Sequence, residues 1–71
     1  MKNVIVTGCA GGIGKATAKK FLENGYSVTG MDVIGEDKVR EMFTEKSFAY
    51  FQGDLSRSED RSALVNKALE A

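Results

Sequence analysis

The sequence predicts an α/β fold with three strands and three helices in strict βαβαβα alternation. Three observations predict it. Short runs of β-branched or aromatic apolar residues recur at 4–6, 26–33 and 48–51. Each run is followed by a segment whose apolar residues repeat with helical spacing. Glycine or aspartate breaks the chain after every run. Strand–helix alternation with short connections implies parallel pairing and right-handed crossovers. The expected product is a three-layer half-domain with sheet order 3-2-1.

The first strand is Val4-Ile5-Val6, an unbroken apolar run of the kind buried on both faces. Glycines at 8, 11, 12 and 14 end it. A helix follows over 12–24, with Ile13, Thr17 and Phe21 in one line and Ala18 and Leu22 widening the stripe. That leaves Lys15, Lys19, Lys20 and Glu23 outward, and Gly25 is placed to end the helix in a left-handed turn. The second strand, 26–33, carries Val28 and Met31 and closes on Asp32. A short helix over 36–46 takes its apolar face from Val39, Met42 and Phe43. The third strand, 48–51, stops at Gly53-Asp54. Ser56 and Glu59 have the spacing of a capping box. The last helix then directs Leu64, Val65, Ala68 and Leu69 inward.

Composition narrows the function classes. Seventy-one residues suit one domain with one core, and 42% apolar with 28% charged residues suits a globular chain rather than a disordered one. Ten basic residues balance ten acidic ones, so no net field attracts nucleic acid or an anionic membrane. No apolar run is long enough to cross a bilayer, and the N-terminus reads as a strand rather than a signal peptide. With one cysteine and no histidine, neither an intrachain disulfide nor a Cys/His zinc site is available. A cytoplasmic protein is expected.

The most informative segment is Thr7-Gly8-Cys9-Ala10-Gly11-Gly12-Ile13-Gly14, between a strand and a helix. Glycine removes the side chains that would keep a pyrophosphate away from the backbone. Free N–H groups of the helix's first turn, near Gly12, Ile13 and Gly14, then face the phosphate oxygens, and the helix dipole adds partial positive charge there. Four glycines in seven positions exceed what a tight turn needs. Lys15 reads as a solvated surface lysine. Cys9 reads as a small loop residue near a helix N-terminus, a position that lowers a thiol pKa.

Asp32 stands eighteen residues after Gly14, at the end of the second strand. A carboxylate there accepts hydrogen bonds from the ribose hydroxyls of an adenosine and repels a 2′-phosphate. No lysine or arginine follows in Val33-Ile34-Gly35, so the expected cofactor is NAD rather than NADP. From the residues alone, Asp54 is either an acceptor for the adenine amine or an ordinary helix cap. Phe48, Tyr50 and Phe51 read as strand core.

Together, Thr7-Gly8-x-x-x-Gly12-Ile13-Gly14, Asp32 and Gly53-Asp54-Leu55-Ser56 resemble the N-terminal part of the short-chain dehydrogenase/reductase family, over essentially the whole chain. The resemblance implies a Rossmann-like NAD-binding half-domain over 1–71 within an oxidoreductase. It also implies that Gly8, Gly12, Ile13 and Gly14 hold the pyrophosphate, that Asp32 selects NAD, and that Asp54 and Leu55 contact adenine. Because Gly11 is also glycine, the turn equally fits the spacing of the family's extended, epimerase-like branch, and Gly11 joins the candidate set.

The family acts through a serine and a Tyr-x-x-x-Lys pair. Here Tyr26 and Tyr50 are followed four residues later by Gly30 and Asp54, so no catalytic residue is assigned and no catalysis is expected from these residues alone. Two alternatives stay open. A methyltransferase fragment binding S-adenosylmethionine would use the same glycine turn and acids, although Thr7 and the Gly12-Ile13-Gly14 entry suit a pyrophosphate better. A non-enzymatic nucleotide-binding or dimerisation module would need only the turn. Without a fourth strand, the first strand becomes an exposed edge, and homo-oligomers are expected through it.

Overall fold

A computed structural model of the protein describes residues 2–70. The elements alternate as the sequence predicts: β1 (Asn3–Thr7), α1 (Gly12–Glu23), β2 (Ser27–Asp32), α2 (Glu36–Met42), β3 (Phe48–Gln52) and α3 (Ser58–Glu70). The strands form one parallel sheet in the order β1-β2-β3, which is the predicted 3-2-1 arrangement read from the other edge. Asn3 pairs with Ser27 and Thr7 with Met31, while Val28 pairs with Phe48 and Asp32 with Gln52.

This register decides which side chains share a face, because alternate strand residues point the same way. Val4 and Val6, Val28 and Gly30, and Phe48 and Tyr50 line one face. They pack with Cys9, Ala18, Phe21 and Leu22 on the α1 side and with Val39, Met42 and Phe43 on the α2 side. The Phe43 and Phe48 rings stack with centroids 4.0 Å apart. The opposite face carries Ile5, Thr29 and Met31, and α3 packs on it across β1 and β2. Leu64 is the buried residue of α3, and Asn3 Nδ2 donates to the Ala68 carbonyl at 2.6 Å.

Several side-chain directions differ from those predicted. In α1, Ala18, Phe21 and Leu22 face the core, but Thr17 is exposed and Ile13 is 87% exposed. Gly14 is the cause. A Cβ there would lie 2.0 Å from the Gly8 carbonyl oxygen, so α1 enters with Gly14 against the turn. The inward line becomes 14, 18, 21 and 22. Lys19 is half-buried rather than outward, with its ammonium 4.8 Å from the centre of the Phe43 ring and 3.5 Å from Glu45.

The helix ends also shift. α2 stops at Met42 rather than continuing to 46, because Phe43 turns extended and buries its ring on Phe48. Gly25 ends α1 as predicted, at φ +84°. The predicted capping box does not form. Ser56 donates both its N–H and its hydroxyl to Asp54, and Glu59 pairs with Arg57. The Ser56 N–H that a capping box would give to Glu59 goes to the Asp54 carboxylate instead. Leu64 and Ala68 turn toward the sheet, whereas Val65 and Leu69 are exposed.

Candidate nucleotide site

The carboxyl ends of the strands form the mouth of the sheet, where crossovers leave a crevice in open α/β folds. The glycine turn is built there by backbone chemistry. Gly8 takes φ +67°, a conformation that disfavours side chains, and its N–H donates to the Met31 carbonyl at 2.7 Å. Gly11 N–H returns to the Gly8 carbonyl at 3.1 Å. Gly11 is also the N-cap of α1, with no side chain capping it and no acidic residue in the first turn. The first helical bond is Lys15 N–H to Gly11. The N–H groups of Gly12, Ile13 and Gly14 therefore find no acceptor among the described residues. A Cβ at Gly12 would meet nothing, so this side of the turn is open.

Asp32 sits half-buried at the end of β2 and ties the glycine turn to that strand end. Its Oδ2 accepts the Ala10 N–H at 3.0 Å, and its Oδ1 accepts the Val33 N–H at 2.7 Å. Each carboxylate oxygen thus holds one backbone donor and keeps lone-pair capacity for another. A groove of about 300 Å³ brings Thr7, Gly8, Met31, Asp32, Val33, Gly53, Asp54 and Leu55 together. Of the predicted site residues, Gly8, Asp32, Asp54 and Leu55 line this groove, while Gly11, Gly12, Ile13 and Gly14 lie at the start of α1. A larger depression, of about 800 Å³, lies against α1 and Tyr26, toward the opposite end of β2, and touches none of them.

Asp54 resolves into a local role with capacity to spare. Its Oδ1 takes both Ser56 donors, at 2.9 and 2.8 Å, and its N–H donates to Asp60. The Ser56 N–H, then the Ser56 hydroxyl, hold its carboxyl below the usual carboxylate range. Leu55 is 47% exposed beside it.

Cys9 behaves opposite to its expected activation. It is fully buried, and burial first, then the negative Asp32, push its thiol up to about 11. It works as core filling: a Cβ at Gly30 would come within 2.7 Å of its sulfur. Tyr50 is buried as predicted, but its hydroxyl was not anticipated as part of the site. It reaches the carbonyls of Asp32, at 3.0 Å, and Ile34. A buried tyrosine must find a partner for its O–H, which is the signal that could have found it. No cluster able to hold a metal ion occurs among the described residues.

Comparison with known proteins shows which family the chain resembles in sequence and fold. A family model described as short chain dehydrogenase matches residues 2–71. An uncharacterised oxidoreductase of Schizosaccharomyces pombe is 33% identical over 67 residues, covering 94% of this chain and 24% of that protein. A solved apo SCOR enzyme from Clostridium thermocellum superimposes with a TM-score of 0.87 at 34% identity, covering 97% of this chain and 28% of that one. A 3-ketoacyl-(acyl-carrier-protein) reductase from Brucella melitensis, solved with NADH, gives 0.86 at 25% identity over 97% of this chain and 29% of its own. The chain thus spans about a quarter of the length of the relatives it matches.

Proposed function

Since this chain belongs to the short-chain dehydrogenase family, we propose that it binds the adenosine and pyrophosphate of NAD within an oxidoreductase. The observation that carries the reading is the Asp32 carboxylate. It stands in the wall of the groove with one backbone donor on each oxygen, alongside Gly8, Asp54 and Leu55. In this reading Gly8, Gly11, Gly12, Ile13 and Gly14 hold the pyrophosphate through bare backbone and the free N–H groups of α1. Asp32 accepts from the ribose hydroxyls and disfavours a 2′-phosphate, which selects NAD over NADP. Asp54 and Leu55 receive the adenine, and Asp54 Oδ2 takes no bond from Ser56. NAD supplies the hydride acceptor. These residues supply its binding, since no Tyr-x-x-x-Lys pair occurs in the sequence.

The test is a thermal shift with NAD, NADP and S-adenosylmethionine on the same protein. NAD at 100 times its dissociation constant should add about 2.7 kcal/mol. Asp32→Ala removes charge-assisted acceptors worth about 1.5–3 kcal/mol each, so NAD should bind at least about tenfold more weakly and the NAD/NADP gap should narrow. Stabilisation by S-adenosylmethionine alone would transfer the site to a methyl-donor cofactor.

A second reading is favoured by β1. Its outer edge has no partner among the described residues, and Ile5, Val65 and Leu69 are exposed, at 41%, 49% and 77%. Two copies joined along this edge would make a nucleotide-binding dimer. Sedimentation across a concentration series decides it, a monomer at high micromolar concentration counting against it.

A further inference from the structure

Three consecutive carbonyls of the β2–α2 turn, those of Asp32, Val33 and Ile34, are held from β3 and the residue after it. The Tyr50 hydroxyl reaches Asp32 O at 3.0 Å and Ile34 O, sharing its one proton between them. Gln52 Nε2 donates to Val33 O at 3.3 Å, and Gly53 N–H donates to Asp32 O at 3.0 Å. Tyr50 and Gln52 lie two apart in β3 and so point the same way. Tyr50 is buried against the core, whereas Gln52 is exposed.

This lacing holds the turn that begins at Asp32. Val33 is both the residue whose carbonyl Gln52 holds and the residue whose N–H orients Asp32 Oδ1. Fixing the peptides on either side of Val33 fixes that N–H, and with it one of the two bonds that aim the carboxylate.

We infer that Tyr50 is a positioning residue for ribose recognition, acting through the turn Asp32–Ile34, with Gln52 as its weaker second tie. The inference rests on the reading of Asp32 as the ribose acceptor. Tyr50 touches no part of the ligand itself. A rigid acceptor loses less freedom when the sugar binds, so the tie acts on affinity for the sugar hydroxyls rather than on the pyrophosphate.

The test uses the full chain and two probes, AMP and 2′,3′-dideoxy-AMP, titrated by amide chemical shift. Wild type should prefer AMP. Tyr50→Phe keeps the ring and removes the donor. It should weaken AMP about three- to tenfold while leaving dideoxy-AMP unchanged, so the preference shrinks. Gln52→Ala, at an exposed position, should shrink it by a smaller factor. Equal weakening of both probes in Tyr50→Phe would reduce Tyr50 to a structural residue and overturn the inference. So would an undiminished preference in both variants. A wild-type chain that binds the two probes equally would overturn the ribose role of Asp32 as well, which separates the two failures.

Discussion

β1 and β2 run side by side in register, yet they occupy opposite environments. In β2, Val28, Thr29, Gly30 and Met31 are all buried, with strands on both sides and helices over both faces. In β1 only Val6 is buried, and Ile5 remains 41% exposed. By composition the order would be reversed, because β1 is the more β-branched apolar run and β2 contains a serine, a threonine and a glycine. Burial in a parallel sheet thus follows the number of neighbours more closely than side-chain type. The central strand can be narrow, and Gly30 is narrow for a reason: a Cβ there would meet Cys9 Sγ at 2.7 Å and the Phe48 ring at 2.9 Å. The site inherits this asymmetry. Asp32 extends from the strand held on both sides, and its carboxylate accepts backbone donors from two separate turns.

The comparison breaks most readily at Met31, which is 2% exposed in β2. Met31→Ala should cost about 2–5 kcal/mol in urea denaturation, through lost burial and the cavity left behind. A loss below about 1 kcal/mol would mean that β2 is less enclosed than its neighbours indicate.

Alkaline pH should act next, through two groups that pack against β2 from neighbouring elements. Burial raises Cys9 from 9.0 to about 11 and Tyr50 from 10.0 to about 12. Both groups are neutral when protonated, so the unfolded chain releases its protons first as pH rises. Their contribution is complete below pH about 9 and should be lost progressively between pH about 9 and 12. Melting temperatures across that range check it, and Cys9→Ala should flatten the part of the decline between pH about 9 and 11.

The smallest effect on stability should come from β1. Ile5→Lys removes a part-buried apolar side chain from the face under α3 and should cost about 1 kcal/mol of unfolding free energy, less than Met31→Ala. It should nevertheless suppress association between copies in sedimentation, because an edge lysine opposes strand addition. Unchanged association would sharpen the contrast differently, by placing any interface elsewhere.

Much of the candidate site's backbone geometry was legible because it is set locally. Gly8 needs φ +67°, and a strand–glycine–helix sequence announces that need. Asp32 falls where a strand ends, and its position along the chain is enough to put it at the mouth. The remainder was hidden by partners far away in sequence. Nothing near Tyr50 indicates that its hydroxyl meets carbonyls sixteen and eighteen residues earlier. Nothing near Cys9 indicates that Gly30 opens a slot for its sulfur. Ser56 and Glu59 satisfied a capping rule on paper, and the nearer carboxylate of Asp54 took the serine instead.

By itself, then, the sequence determined the order of the six elements, the parallel sheet, the bare turn and the acid at the end of β2. Each depends on backbone preference and on apolar spacing within a few residues. Only the tertiary structure decided how α1 is rotated, where α2 ends and what steadies Asp32. Those outcomes depend on contacts between separate elements: Gly14 against the Gly8 backbone, the Phe43 ring on Phe48, and the Tyr50 hydroxyl under the β2–α2 turn. Close packing makes such contacts decisive, because a helix that must touch bare backbone at one residue has no freedom left in which face it shows the core.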